Sequence, residues 1–317
     1  MLKAPAQKAS SSKSHELGSA DVIQEWADAT LQTALSLDPN AYIPELFWAH
    51  KTRPDGRIFG QARQTTITPG VLQQNALGSA LVKLTGGSGT SNTHVLAGVT
   101  ADIGQPSANQ GDLKVTLTPS NNNGPLESWL QRLLLQVMDL EQLGIIPGRA
   151  AFGLDVTICI LNPNGSIADA CLLAAVGALQ NTALPPIVVQ EGRVYTLDND
   201  AQQKELPESW TSFASQTLNL PVIPLPLSMG VMRIKASKED DNNNNESKQQ
   251  WLVDPSGEEE EVCQGAITVV LDGLDMDNIL SLDYQGKVSM DHADLALALR
   301  MAKGRAQELL PLLQLGS

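Results

Sequence analysis

Aromatic residues are few: three tyrosines, four phenylalanines and five tryptophans among 317 residues. The core must therefore be aliphatic. Cysteine is scarcer still. Cys159, Cys171 and Cys263 are odd in number, lie far apart and form no Cys-x-x-Cys pair. This argues against a disulfide framework, a zinc ribbon and a thioredoxin-type motif, and leaves reduced thiols. No stretch approaches the ~18 consecutive apolar residues of a membrane span, so no membrane association is expected. The first residues carry Lys3, Lys8 and Lys13 among serines but no apolar run, so no secretory signal is expected.

Basic side chains are outnumbered. Twenty-one Lys and Arg stand against 35 Asp and Glu, a net charge of −14. A field of that sign repels phosphate backbones and argues against a stand-alone nucleic-acid binder. The charge is uneven, however. Residues 238–261 hold nine acids and two lysines, half of the excess in 24 residues. Elsewhere the chain is only mildly acidic, which leaves a local basic groove open.

What is present is a sequence of short β-patterned runs broken by a few long helical ones. Residues 1–15 read as a disordered tail and 16–52 as a helical extension, with Ile43, Phe47 and Trp48 on its second helix. Arg53-Pro54-Asp55-Gly56-Arg57 is turn chemistry. Strands are predicted at 65–68, 79–84, 95–100, 113–117 and 154–161. The run 86–91, Gly-Gly-Ser-Gly-Thr-Ser, lacks the Gly-Lys-Ser/Thr of a phosphate loop and reads as a hairpin tip. Residues 125–143 place Leu126, Trp129, Leu130, Leu133, Val137 and Leu140 on one helical face, and 168–181 read as a buried helix. Asn162-Pro163-Asn164-Gly165 turns the chain into that helix, whose first amides point where an anion could sit.

Residues 196–217 read as a connection. Beyond it, strands are predicted at 218–223, 227–234, 251–253, 266–271 and 279–282, with a final helix at 291–313. Residues 237–250, with four consecutive asparagines, read as a disordered insertion. The fold class is α+β: two related βα lobes, 53–195 and 218–317, with mixed sheets packed against long helices. Clustered carboxylates at Asp254 and at 258–261 have two readings, a solvated turn or an acid–base or metal site. The turn is the plainer one. His15, His50, His94 and His292 share no spacing, and no metal site is expected.

Four stretches, in order, resemble the RNase PH superfamily, and more narrowly the non-catalytic RNase PH-like subunits of the eukaryotic RNA exosome. These are Arg53-Pro54-Asp55-Gly56-Arg57; Gly78-Ser79-Ala80-Leu81-Val82-Lys83-Leu84; Asn164-Gly165-Ser166-Ile167-Ala168-Asp169-Ala170-Cys171; and the run from Val253 to Glu260. The resemblance spans about residues 50–310. It implies an RNase PH-like fold. It also implies the family chemistry, cleavage of RNA from its 3′ end by inorganic phosphate, gripped at the strand–turn–helix junction by amides, a hydroxyl and an arginine.

Here that junction reads Gly165-Ser166-Ile167, with isoleucine at the arginine position. Loss of such a clamp removes on the order of a thousandfold in rate. The family's pair of acids six apart is represented by Asp254 and Glu260. The resemblance therefore implies a degenerate site at Gly165, Ser166, Ile167, Asp254 and Glu260, no catalysis and no cofactor. The function it implies is a ring subunit scaffolding 3′-to-5′ RNA processing and degradation, in rRNA maturation and mRNA turnover, and lining part of the channel. Implied partners are other RNase PH-like ring subunits, RNA-binding cap subunits, and RNA through the assembled channel, in nucleus, nucleolus and cytoplasm. Arg53, Arg57, Arg63 and Arg149 are the RNA-contact candidates, although for the cluster of Arg53, Arg57 and Arg63 the plainer reading is anchoring of a turn by Arg–carboxylate pairs.

Overall fold

The computed structural model describes residues 52–74, 76–87, 91–106, 110–120, 123–197, 210–234 and 248–314, together with Thr33, Ile43, Pro44 and Phe47. The expected tail at 1–15, most of the 16–52 extension and the asparagine run lie outside the described residues.

The first sheet is built from β1 (Gln64–Pro69), β2 (Gly78–Thr85), β3 (Asn92–Gly104), β4 (Asp112–Thr118), β5 (Gly144–Ile146) and β6 (Ala150–Asn162). Its order is β1-β2-β3-β6-β4, with β5 also pairing β6. All pairs are antiparallel except β4 with β6. A parallel neighbour needs a crossover, and α1 (Gly124–Val137) lies within it. Thr85 pairs with Asn92, so 86–91 is indeed the β2–β3 hairpin connection. β1 and β2 alternate buried and accessible residues over much of their length, the pattern of strands covered mainly on one face.

Helix α2 (Ile167–Gln180) follows, and every residue from Asp169 to Leu179 is buried. It has no amphipathic stripe because it has no solvent face: β1, β2, β3 and β6 cover one side and the second lobe the other. Burial of a leucine such as Leu172, Leu173 or Leu179 contributes roughly 1.5–3 kcal/mol. Gly177 lets the helix seat on β2, since a Cβ there would lie 3.0 Å from that of Ala80. Five short strands come next: β7 (Ala183–Leu184), β8 (Ile187–Gln190), β9 (Arg193–Thr196), β10 (Thr211–Phe213) and β11 (Gln216–Thr217).

The second lobe runs β12 (Pro224–Ile234), β13 (Lys248–Val253), α3 (Gly257–Val262), β14 (Gly265–Asp272), β15 (Ile279–Gly286) and α4 (His292–Gln314). Its antiparallel sheet is ordered β13-β12-β14-β15, and β12 packs on α2 while α4 packs on β12 and β14. The architecture is α+β in two lobes, as the sequence implies.

Three expectations fail locally. The predicted strand at 218–223 is an irregular segment. Leu218, Leu220 and Ile223 are buried anchors, and the amide of Asn219 bonds to Gln142 and that of Ile223 to Asp272 instead of a strand partner. The helix predicted to run to 143 stops at Val137. Met138 is extended, and Asp139 opens a separate turn by accepting from the amide of Glu141. Finally, pairing reaches back to Lys248, inside the stretch predicted to be disordered to 250.

Candidate functional site

The Arg53–Arg57 turn closes on itself first. The Gly56 amide donates to Arg53 O at 2.9 Å, Gly56 takes φ +81°, and Asp55 accepts from the Arg57 side chain at 2.6 Å. A left-handed φ at that corner suits the glycine. The three arginines that follow from this turn and from Arg63 then point inward, onto the segment between β13 and α3.

Arg53 grips Glu259 through two bonds, Nε at 2.8 Å and Nη2, and also donates to the carbonyls of Val253 and Asp254. Arg57 donates to Asp254 O at 3.0 Å. Arg63 binds the Asp254 carboxylate at 2.7 Å and reaches the carbonyls of Asn164 at 2.6 Å and Gly165 at 3.1 Å. These side chains therefore staple the turn before α2 to the second lobe. Residue exposures of 2%, 3% and 1% for Arg53, Arg57 and Arg63 leave no surface for a polyanion. Their assignment as RNA contacts is corrected: each guanidinium is spent inside the protein. Arg149 is exposed, in the β5–β6 turn.

The acid run is a solvated turn only in part: Glu258, Glu260 and Glu261 are exposed. Asp254 and Glu259 are buried, Asp254 at φ +50°. Burial opposes the charge of Asp254, but the hydrogen bond and charge of Arg63 outweigh it and bring its carboxyl down to about 2. Glu259 escaped the sequence reading of single roles. Its signal was the Ser256-x-x-Glu259 pattern: the Ser256 amide donates to Glu259 at 2.8 Å, so one carboxylate both caps α3 and holds Arg53.

On the other side of this segment lies the mouth of α2. Gly165 and Ser166 take φ +73° and +47°, and a Cβ at Gly165 would lie 2.3 Å from Pro255 O. Only glycine fits there. The Ser166 hydroxyl donates to Pro255 O at 3.2 Å, and Asn164 accepts from the Gly257 amide at 2.9 Å. The Ser166 amide, the donor an incoming anion would need, is occupied: it donates to Glu260 Oε1 at 2.7 Å. Burial pushes the Glu260 carboxyl up, with the Ser166 bond and Arg63 pulling the other way.

In front of this mouth is a groove of about 420 Å³ lined by Ile167, Ser228, Met229 and Glu260 among others. Among the described residues lining it, Glu260 is the only charged side chain and none is cationic. Ile167 is half-buried and packs on the core. Arg149 does not line the groove. A chemistry that needs orthophosphate next to a phosphodiester finds a Ser166 hydroxyl and amide that already have partners, one negative charge and no cation in the described lining. Behind Ile167 the sequence reading also missed Asp169. This carboxylate is buried against β12, where it accepts from the Ser228 amide at 2.7 Å and hydroxyl at 2.6 Å, and burial raises it to about 7.

The family described as "3' exoribonuclease family, domain 1" matches residues 61–185, the span that contains the first sheet and α2. The chain is 30% identical over 276 residues to "Exosome complex component Rrp42" of Saccharolobus solfataricus, covering 81% of this chain and 87% of that relative. A second protein of the same description, from Methanothermobacter thermautotrophicus, is 25% identical over 279 residues, or 82% and 89% of the two chains. Among solved structures, one titled "Archaeal exosome core" superposes with a TM-score of 0.63 at 25% identity, covering 91% of this chain and 99% of that one.

Proposed function

This chain belongs to the RNase PH family, among its exosome core subunits, and from that premise we propose that it is a non-catalytic ring subunit of an RNA exosome. In this role it scaffolds 3′-to-5′ RNA processing and degradation and contributes part of the channel wall. Its partners are other RNase PH-like ring subunits, cap subunits and the RNA that threads the assembly. The finer assignment we make is to a eukaryotic exosome of nucleus, nucleolus and cytoplasm. Within it the wording of the four motifs favours the paralogue type of ribosomal RNA processing protein forty-three.

One observation carries the non-catalytic reading. The carboxylate of Glu260 sits on the Ser166 amide, in a groove whose described lining offers no cation. Phosphorolysis needs a bound phosphate anion, and this mouth already holds one negative charge of its own.

The test is an RNA 3′-end assay with orthophosphate, run on the chain alone and on the ring reconstituted with its partners. No nucleoside diphosphate release attributable to this subunit is expected. Turnover that disappears with Asp254→Asn while the fold is kept would establish an active phosphorolytic exoribonuclease instead. Affinity capture of the tagged chain addresses the scaffold: the other ring and cap proteins are expected in equal amounts, and a monomer that ignores them contradicts it.

A further inference from the structure

A groove of about 630 Å³ runs between the loop 58–63, the start of β1 and α4, within the ~300–1,000 Å³ of ligand sites. β1 is the terminal strand of the first sheet, paired only with β2. In an antiparallel pair, alternate residues turn their amide and carbonyl to the neighbour. The Gly70 amide donates to Ser79 O, which sets the phase: Thr68, Thr66 and Gln64 face β2, and Thr65 and Ile67 face away from it. Arg63 continues the outward set, but side chains take its groups: its amide donates to Asp254 and its carbonyl accepts from Arg305. Among the described residues no strand lies beyond Thr65 and Ile67. Their main-chain groups form an open edge, a template for another chain.

The opposite wall is one face of α4, where Arg300, Met301, Gly304, Arg305 and Leu312 recur at helical spacing. Arg305 is held by Glu308 at 2.8 Å. Arg300 is exposed, and among the described residues no carboxylate pairs with it. In a chain of net charge −14 this leaves a free cation beside apolar neighbours, since Ile58 is 64% exposed and Met301 is half-buried. Gly304 keeps the middle of the wall low: a Cβ there would meet nothing within 4 Å.

We propose that this groove is a docking site for an extended, acidic and aliphatic segment of a partner protein, added as a further strand to the open edge of β1. Strand addition draws affinity from main-chain hydrogen bonds and specificity from the side chains on either side. Thr65 and Ile67 supply the donors and acceptors. Arg300 selects a carboxylate by a charge-assisted bond, and Ile58, Met301 and Leu312 cover aliphatic side chains. A nucleic acid has no row of amides and carbonyls at strand spacing and would leave the edge unpaired. The groove shares no residue with the hollow at the α2 mouth, and the proposal does not draw on the exosome reading.

The probe is a fluorescently labelled ten-residue peptide in which glutamate alternates with valine, titrated by anisotropy against the full-length chain and against the ring reconstituted around it. Melting temperature reports the folding of each variant. Gly304→Leu fills the groove from a position that touches nothing and is expected to weaken binding tenfold or more. Arg300→Glu is expected to cost about tenfold, and a peptide with lysine in place of glutamate to recover most of that loss. Of two peptides methylated on alternate backbone nitrogens, only the one blocked toward β1 should lose binding. Absence of binding to wild type in either form overturns the proposal, as does a Gly304→Leu chain that binds like wild type or two methylated peptides that behave alike. Binding to the chain alone that vanishes in the ring also overturns it, because the edge would then be a contact between ring subunits. Displacement of the peptide by a single-stranded oligoribonucleotide that Gly304→Leu fails to bind would assign the groove to nucleic acid instead.

Discussion

The segment from Asp254 to Glu260 has two faces of opposite electrostatics. On one, Arg53, Arg57 and Arg63 converge on Asp55, Asp254 and Glu259, three charges against three in a buried cluster. On the other, Glu260 faces a groove with no counter-cation among its described lining. The first face joins the lobes; the second is where a phosphate would have to sit. Fold and reaction thus draw on different residues of one short stretch. The signature that makes the family legible is mostly the structural half, which is why the motifs can be intact while the chemistry is not.

The sharpest way to break that comparison is Arg63→Met. It leaves the buried Asp254 carboxylate without its strongest partner and strips the bonds that Arg63 gives to the Asn164 and Gly165 carbonyls. Removing one member of a buried pair costs about 3–5 kcal/mol, enough to unfold a marginal domain. Chemical denaturation, or the soluble fraction on expression, measures it. The control is Lys114→Gln, which breaks the exposed pair with Asp155 and is expected to cost less than about 1 kcal/mol. Equal losses in the two variants would mean that the buried cluster does not join the lobes.

A smaller effect separates two buried carboxylates. Asp254 lies at about 2, so its stabilisation is present above its unfolded value and is lost as pH falls toward 2. Asp169 behaves in the opposite sense. Its folded value of about 7 lies above the unfolded 3.8, so its contribution is full below pH ~4 and is lost as pH rises to 7. Asp169→Asn preserves an acceptor for the Ser228 amide and removes the titration. It is expected to match wild type near pH 4 and to be more stable by a few kcal/mol at pH 8. Thermal denaturation across pH 4–8 checks this, and parallel curves for the two proteins would contradict it.

How much of this was visible in the sequence follows the same division. The strands around Val82, Val99 and Val156 and the apolar helix after Ser166 were legible because burial imposes a period, or a continuous apolar run, on the residues. The turns before α2 and at Gly56 were legible through Gly, Pro and Asn. Arg53, Arg57 and Arg63 carried two readings, RNA contact and turn anchoring by carboxylates, and the fold bears out the second. A guanidinium looks alike in sequence whether it meets RNA or a carboxylate 191 residues away, and only the fold brings Arg63 to Asp254. Leu218, Leu220 and Ile223 misled for a related reason: apolar residues two apart suggest a strand, yet here they anchor an irregular crossing between lobes.

The smallest expected effect tests the second face directly. If Glu260 is what occupies the α2 mouth, then supplying the absent cation alone should accomplish little. An arginine from Ile167→Arg would meet the Glu260 carboxylate first, since a near and fixed anion outcompetes a dilute one. Glu260→Gln alone frees the Ser166 amide of a charge but offers no guanidinium. Only Ile167→Arg combined with Glu260→Gln presents a cation with no carboxylate competing for it at the mouth. Orthophosphate should raise the melting temperature of that double variant in a concentration-dependent way, with affinity roughly tenfold or more above either single variant, as expected for a charge-assisted bond. Wild type should show no phosphate-dependent shift. A wild-type shift equal to that of the double variant would mean that the mouth was never closed, and the contrast between the two faces would then be one of degree.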